Sequence, residues 1–204
     1  MKVAIIDYDA GNLRNVERAA KRAGLDVVIT RDAEEIRNAK ALILPGVGAM
    51  KDAMAHLNAY GLTELIRSEV AKGKKLVGIC LGMQALYEVS EEGGEVKAMG
   101  LLPGRIAHFP KGNLKVPHMG WNELIIHRSH PALEGLPAHS YVYFVHSYYK
   151  TPGHTEDVIA SADYGVTVPA VVGKDNVLGF QFHPEKSGPV GIQIWKQIAE
   201  WLVK

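Results

Sequence analysis

The residue best suited to nucleophilic chemistry is the single cysteine, Cys80, in the sequence Gly-Ile-Cys-Leu-Gly at 78–82. The apolar run 76–79 predicts a buried strand before it, and 83–86 predicts the start of a helix. Glycines on both sides of such a residue are typical of a nucleophile elbow, whose turn is too tight for flanking side chains. This turn would point the Leu81 amide and the helix N-terminus at the thiol, which favours a thiolate and a developing oxyanion. A small buried cysteine between packing glycines is the alternative.

A candidate general base, His183, follows about one hundred residues later, just after an apolar segment. Glu185 stands two residues further on, beyond Pro184. Its carboxylate could accept a hydrogen bond from one ring nitrogen and leave the other for the thiol. On its own, a solvated His-Pro-Glu turn is the simpler interpretation. Six other histidines have polar or turn-like neighbours and are predicted to lie on the surface: His56, His108, His127, His130, His139 and His154.

The first half of the chain alternates short apolar runs with segments of helical periodicity. This alternation predicts right-handed crossovers and a mainly parallel sheet covered by helices on both faces. The predicted strands are 2–6, 26–30, 41–44 and 76–79, and the predicted helices are 12–23, 33–38, 49–57 and 62–71.

The second half is richer in strands. Glycine and proline are frequent between 93 and 122, and no helical period is present there. Further on, strands are predicted at 141–146, 158–162, 166–172 and 177–182, with a hairpin turn at 173–176 and a closing helix from Pro189. The predicted fold class is therefore α/β, a mainly parallel central sheet with helices on both faces and a β-rich second half, in a single domain over 1–204.

The composition bounds the function classes. A net charge of +1 gives no electrostatic footprint for nucleic acid or an anionic membrane surface. One cysteine cannot form an internal disulfide, and Asp7 and Asp9 come too early for a signal peptide, so a cytoplasmic protein is expected. The sequence contains no metal-ligand or phosphate-loop motif, so neither a metal nor another cofactor is expected.

Taken together, the cysteine motif and the His-Pro-Glu motif closely resemble those of the triad-type, class I glutamine amidotransferases. The resemblance covers essentially the whole chain and implies their flavodoxin-like fold. It also implies that Cys80 is the nucleophile, His183 the general acid and base, and Glu185 the residue that orients the imidazole. The oxyanion hole would comprise Gly46, Val47 and Leu81, and the glutamine-binding residues would be Gly48, Gln84, His146, Ser147 and Tyr148.

Three accessory motifs, at 7–13, 116–122 and 143–149, resemble the glutaminase subunits of imidazole glycerol phosphate synthases. Asp9 departs from the glycine expected there. The resemblance implies hydrolysis of glutamine through a cysteinyl thioester. It also implies a heterodimer with a (β/α)₈ synthase, which uses the channelled ammonia to form imidazole glycerol phosphate and AICAR in histidine biosynthesis. The candidate partner surface comprises Asn12, Asn15, Arg18, Met119 and Trp121.

Three alternatives stay open. The chain could serve another synthase, for anthranilate, aminodeoxychorismate or GMP, although several of those families carry histidine where this chain has Met83. It could be a cysteine peptidase or a thiol redox sensor on the same elbow. It could also be a binding subunit with a vestigial triad.

The loop Pro45-Gly46-Val47-Gly48 predicts regulation. An oxyanion hole needs two amide donors, and Leu81 supplies only one of them. Two glycines around Val47 let a peptide plane turn over at little steric cost, so a carbonyl could face the thiol at rest. We therefore expect the isolated chain to be a poor glutaminase that a partner activates. The alternative is a fixed tight turn that is always active.

Overall fold

An eight-stranded mixed sheet forms the centre of the molecule. The structure, a computed structural model, describes residues 2–204. In the first half the strands are β1 (Val3–Ile6), β2 (Val27–Thr30), β3 (Ala41–Leu44) and β4 (Lys75–Ile79). The helices there are α1 (Leu13–Arg22), α2 (Ala33–Asn38), α3 (Met50–Ala59), α4 (Leu62–Ala71) and α5 (Leu81–Gln84).

The second half contains ten strands and one long helix. Its strands are β5 (Val89–Ser90), β6 (Val96–Lys97), β7 (Arg105–His108), β8 (His118–Glu123), β9 (Ile125–Ile126), β10 (Tyr141–His146), β11 (Tyr148–Lys150), β12 (Val158–Asp163), β13 (Thr167–Lys174) and β14 (Val177–Phe180). The chain closes with α6 (Gly188–Val203), and 3₁₀ turns lie at Pro131–Leu133, Thr155–Asp157 and Pro184–Lys186.

The central sheet has the strand order β2-β1-β3-β4-β14-β13-β12-β9. The first five strands pair in parallel, and the last three pair antiparallel. The parallel part has the 2-1-3-4-5 order of flavodoxin-like folds, in which ligands bind outside the carboxyl ends of the strands. The predicted fold class is confirmed.

Helices cover both faces of this sheet because its strands alternate between two cores. In β1, Val3 and Ile5 pack in the core that includes α1 and α6, whereas Ala4 and Ile6 pack in the core that includes α3 and α4. The strand is buried along its whole length, which explains why it is a continuous apolar run.

The region between 87 and 150 contains strands that the sequence analysis did not predict. Strands β8 and β10 form a separate antiparallel ribbon, and β11-β7-β5-β6 form a third sheet. Most of these strands have two to four residues, too few to show a periodic pattern, and they are held by pairing with distant segments. The β8–β10 ribbon continues towards the carboxyl ends of the central strands, since the His183 amide donates to the Tyr143 carbonyl at 3.0 Å.

Candidate active site

Cys80 lies in a sharp turn between β4 and α5. A side chain on Gly82 would collide with the Leu44 carbonyl oxygen, and a Cβ on Gly78 would lie 2.7 Å from the Gly82 carbonyl oxygen. Cys80 itself has φ 54°, a value that costs a non-glycine residue backbone energy and is typical of functional sites. These contacts explain why glycines flank the cysteine in a nucleophile elbow.

The helix after Cys80 is shorter than the sequence predicted. A helix does begin after Cys80, but it starts at Leu81, two residues before the predicted start at 83–86, and it ends at Gln84. The Ala85 carbonyl accepts from Met99, and the Leu86 carbonyl accepts from the amides of Leu101 and Leu102, so these oxygens bind another segment instead of the next turn. A single helical turn has a small dipole, so this helix contributes little to the electrostatics at the thiol.

The ends of β4 and β14 bring the three predicted triad residues together. The Cys80 amide donates to the Phe180 carbonyl at 2.7 Å, which fixes the two strand ends side by side. His183 lies three residues beyond Phe180, and its Nδ1 is 2.7 Å from Oε1 of Glu185. Its Nε2 is buried and has no hydrogen-bond partner among residues 2–204. One ring nitrogen is thus bound to the carboxylate and the other is unoccupied.

The electrostatics favour a charged His183–Glu185 pair. Burial by itself lowers the pKa of His183, but the neighbouring Cys80 and Glu185 outweigh burial and raise this pKa to about 9. Burial alone would raise the pKa of Glu185, yet its hydrogen bonds to His183 and Asn12 outweigh that effect and lower it. At neutral pH the pair is therefore an imidazolium and a carboxylate.

Asn12 makes a contact to this pair that the sequence analysis did not predict. Its side-chain amide donates to Oε1 of Glu185 at 2.6 Å. Asn15 donates to Asn12 at 2.8 Å, and Arg18 donates to Asn15 at 3.0 Å, so the three residues form a chain of hydrogen bonds along α1. Asn12 adopts φ 74° at the start of that helix, a conformation that asparagine tolerates well. Only its contribution to a surface had been expected.

A pocket of about 220 Å³ opens above Cys80 and His183. All five residues expected to bind glutamine line it: Gly48, Gln84, His146, Ser147 and Tyr148. Glu92 and Val145 also line it and were missed, because no motif surrounds Glu92 and Val145 has the pattern of an ordinary strand residue. The Val145 carbonyl oxygen lies 3.9 Å from Sγ of Cys80.

The three residues expected to form the oxyanion hole meet beside the thiol, but not as two free donors. The Leu81 amide donates to the Gly46 carbonyl at 3.4 Å. Because the carbonyl and the N–H of a trans peptide point in opposite directions, the Val47 amide points away from Leu81. The Tyr8 hydroxyl donates to the Pro45 carbonyl at 2.6 Å, which holds the first residue of this loop in place.

Comparisons with known proteins agree with this geometry. Residues 4–197 match the family model described as glutamine amidotransferase class-I. The chain is 52% identical, over 94% of its length and 92% of the relative's, to imidazole glycerol phosphate synthase subunit HisH of Geobacillus thermodenitrificans. It is 49% identical to the subunit of the same name in Bacillus subtilis, over 97% and 95% of the two chains. A crystal structure of a glutamine amidotransferase superposes with a TM-score of 0.76 at 24% identity, over 98% of this chain and all of that one. The chain belongs to the HisH family of class-I glutamine amidotransferases.

His146 lines the pocket of this family member, and its ring contacts two other residues of the protein. Nδ1 lies 2.8 Å from the Tyr148 carbonyl and Nε2 lies 2.9 Å from Nδ1 of His118, so both ring nitrogens are occupied. Burial lowers the pKa of His146 to about 3 and also lowers that of His118. The fully buried His118 was missed, because the sequence placed it in a segment without a clear strand pattern.

The remaining interface candidates lie on one side of the molecule. Met119 is 59% exposed and Trp121 is 53% exposed, both on the outer face of β8. Trp121 lies against Gly188, which lines a groove between α1 and α6 together with Asn15 and Arg18.

The six histidines predicted on the surface are exposed, apart from the half-buried His130. Within residues 2–204, no group of three or more His, Cys, Asp or Glu side chains could hold a metal ion. No helix in that range is long and apolar enough to cross a membrane.

Proposed function

We propose that this chain is the glutaminase subunit of an imidazole glycerol phosphate synthase, acting as one amidotransferase domain in the cytoplasm. It hydrolyses glutamine to glutamate and ammonia. The observation that carries this proposal is the buried Cys80–His183–Glu185 arrangement beside a pocket that Gln84 also lines. The HisH relatives support the choice of synthase, since they match almost the whole chain at about half identity.

The first half of the reaction forms a thioester. The sulfur of Cys80 attacks the side-chain amide carbon of glutamine, and the C=O electron pair moves onto oxygen. When this pair returns, the C–N bond breaks, and the imidazolium of His183 gives its Nε2 proton to the leaving nitrogen. Glu185 keeps the Nδ1 proton in place and stabilises the charged ring, which is the role of the third residue in such triads.

The second half regenerates the enzyme. His183, now neutral, takes a proton from water while the oxygen attacks the thioester carbon. The C–S bond breaks, glutamate leaves, and the sulfur remains beside the imidazolium for the next turnover. Ammonia leaves separately and passes to the (β/α)₈ synthase partner, which uses it to form imidazole glycerol phosphate and AICAR.

The oxyanion loop is the regulated part of this site. With the Leu81 amide bound to the Gly46 carbonyl, the developing oxyanion has neither donor available. Turning the peptide between Gly46 and Val47 would remove that carbonyl and aim the Val47 N–H at the same point. Two preorganised donors would then face the oxyanion, and this stabilisation is usually the largest contribution to acyl transfer.

The partner surface combines an apolar part with a basic part. Met119 and Trp121 supply exposed apolar area, and Arg18, Arg22 and Lys196 line the adjacent groove. Large apolar side chains and arginine are the residues enriched at the centres of protein interfaces. We expect the synthase to place acidic side chains opposite these three cations.

Three measurements test the proposal. A glutamine-analogue electrophile should label Cys80. If mass spectrometry finds the adduct on another residue, Cys80 is not the nucleophile. Glutamate release should rise with an imidazole glycerol phosphate synthase partner and not with an anthranilate or GMP synthase. Cleavage of peptides instead of glutamine would favour the peptidase alternative.

A further inference from the structure

A buried chain of hydrogen bonds connects the substrate pocket to the sulfur of Cys80. Nε2 of Gln84 donates to the Tyr148 carbonyl at 2.8 Å and to Oε1 of Gln181 at 3.0 Å. Nε2 of Gln181 in turn lies 3.9 Å from Sγ of Cys80, within the range of hydrogen bonds to sulfur. Gln84 is only 3% exposed and Gln181 is fully buried. Gln181 has no role in the proposed thioester mechanism.

The order of donors and acceptors in this chain of hydrogen bonds follows from the Tyr148 carbonyl at one end of it. The Tyr148 backbone carbonyl can only accept, so the nitrogen of the Gln84 amide must face it. The second N–H of that nitrogen then faces Gln181, which must present its oxygen. The nitrogen of Gln181 is therefore the atom that faces Cys80. The assignment of oxygen and nitrogen in both amides thus rests on the network.

This orientation determines what each amide offers to the reaction. Both hydrogens of the Gln84 nitrogen are used within the protein, so only its carbonyl oxygen is left for the pocket that the residue lines. An amide oxygen accepts from the ammonium or amide N–H groups of glutamine and repels a carboxylate. The N–H of Gln181, aimed at sulfur, stabilises a thiolate more than a thiol, because hydrogen bonds to charged groups are the stronger ones.

We propose that Gln181 is a further functional residue of the glutaminase site, which holds the Gln84 carbonyl towards the substrate and donates an N–H to the Cys80 sulfur. The first role is positioning, since it acts through Gln84, and the second is direct contact with the reacting atom. This inference rests on the proposed function and adds a residue to it. The competing view is that the two glutamines only satisfy each other in the core.

Two substitutions at Gln181 separate the two roles, measured in the complex with the synthase. Gln181→Met removes the acceptor for Gln84 and the donor for sulfur, so KM should rise and kcat should fall, each by about tenfold. Gln181→Glu keeps an acceptor for Gln84, so KM should stay within about twofold of wild type. Its ionised carboxylate faces the sulfur with no proton to donate, so kcat should fall by about tenfold or more.

The pH profile of Gln181→Glu gives a readout that a packing role would not change. The carboxyl group introduced by this substitution can donate to sulfur when it is protonated and cannot when it is ionised. The deficit in kcat relative to wild type should therefore grow as pH rises through the pKa of that carboxyl. The double variant Gln84→Met/Gln181→Met should raise KM no more than Gln84→Met alone, because the positioning role is exerted through Gln84.

Controls keep the result interpretable. Gln193→Met removes a glutamine on α6 that binds the Gly135 carbonyl, and it should leave kcat and KM unchanged. Rates are divided by the fraction of sites that a glutamine-analogue electrophile labels, which corrects for misfolded protein. The inference is overturned if both Gln181 variants keep wild-type kcat and KM per labelled site, or if the Gln181→Glu deficit is independent of pH. An inactive wild-type complex would instead refute the proposed function.

Discussion

The two sides of the reaction pocket are built differently. On one side, Cys80 and His183 follow buried neighbouring strands, and Glu185 is held by two hydrogen bonds. On the other side, Val47 is 38% exposed and Gly48 has φ 103° with open space around it. The triad residues are thus held in place in the chain alone, whereas the Leu81 amide is bound to the Gly46 carbonyl. In the proposed mechanism the oxyanion donors become available only when the loop turns, so we call these two sides the preorganised side and the conditional side.

The largest effect tests the preorganised side. Cys80→Ala should abolish glutamine hydrolysis, with a loss of about 10⁴-fold or more, because no other group can form the thioester. The substitution removes one small atom that faces the pocket, so binding of the synthase should stay within about twofold of wild type. Glutamate release and the Kd of the complex are the two measurements. Residual turnover near wild type would exclude Cys80 as the nucleophile.

The next effect asks whether the triad acts as one unit. His183→Ala should cost nearly as much as Cys80→Ala, and the double variant should cost no more than either, since residues of one catalytic unit are non-additive. Glu185→Gln should be severe but smaller, because it removes the charge that stabilises the imidazolium. These comparisons use kcat/KM of the complex. Wild-type activity in Glu185→Gln would remove this carboxylate from the mechanism.

The next effect is smaller and tests the conditional side, through the ratio of glutamine turnover in the complex to turnover in the isolated chain. The isolated chain should turn over glutamine at least about 10²–10³ times more slowly than the complex with its synthase and nucleotide substrate, because one missing oxyanion donor usually costs that factor and the resting chain offers neither donor. The three states to compare are the chain alone, the chain with partner, and the chain with partner and nucleotide. If all three rates agree within a few-fold, the loop is not a switch and the two sides are equally preorganised.

Tyr8 offers a way to alter the conditional side alone. Tyr8→Phe removes the hydroxyl that binds the Pro45 carbonyl, so the loop should turn more readily and the basal activity of the isolated chain should rise by about threefold, the effect of one modest hydrogen bond. Tyr87→Phe is the matched control, since it also removes a buried hydroxyl. That hydroxyl donates to Asp157 at 2.6 Å, and neither residue lines the pocket. Both variants should lose stability in urea unfolding, but only Tyr8→Phe should change basal activity. Equal basal rates would show that Tyr8 does not hold the loop.

The same contrast explains how much the sequence could predict. The elbow and the His-Pro-Glu turn were recognisable because their chemistry depends on residues within a few positions of each other. The chain of glutamines and the Asn12–Glu185 bond were not, because they join residues 97 and 173 positions apart. Strands β5 to β9 were not predicted for the same reason, because pairing with distant segments, and not a local sequence pattern, determines where they form.

The hydrogen bonds of the His146 ring could not be predicted from the sequence for a related reason. Its position at the end of a strand correctly placed it beside the pocket, but its partner His118 comes from the other strand of the ribbon. Only the register between β8 and β10 reveals that both ring nitrogens are occupied. Spacing along the chain can predict which residues approach a site, whereas the partners of each polar atom depend on tertiary packing.

The smallest predicted effect concerns two histidines that line the same pocket and whose pKa values are shifted in opposite directions. The pKa of His183 is raised to about 9 in the folded chain, above the unfolded value of about 6.5, so its charged form adds stability below about pH 6.5. That contribution is lost as pH rises through about 9. The pKa of His146 is lowered to about 3, so below about pH 6.5 the unfolded chain binds a proton that the folded chain does not, and stability falls with acidification. The free energy of unfolding should therefore decline on both sides of a maximum near neutral pH.

NMR titration should show the His183 ring still charged at about pH 8 and the His146 ring still neutral at about pH 5. His183→Gln should remove the alkaline decline and leave the acid decline, because the two rings are separate groups. A His183 ring that titrates near its unperturbed pKa would mean that the thiol and the carboxylate do not hold the charged form, and the nucleophilic side would then be no more preorganised than the loop.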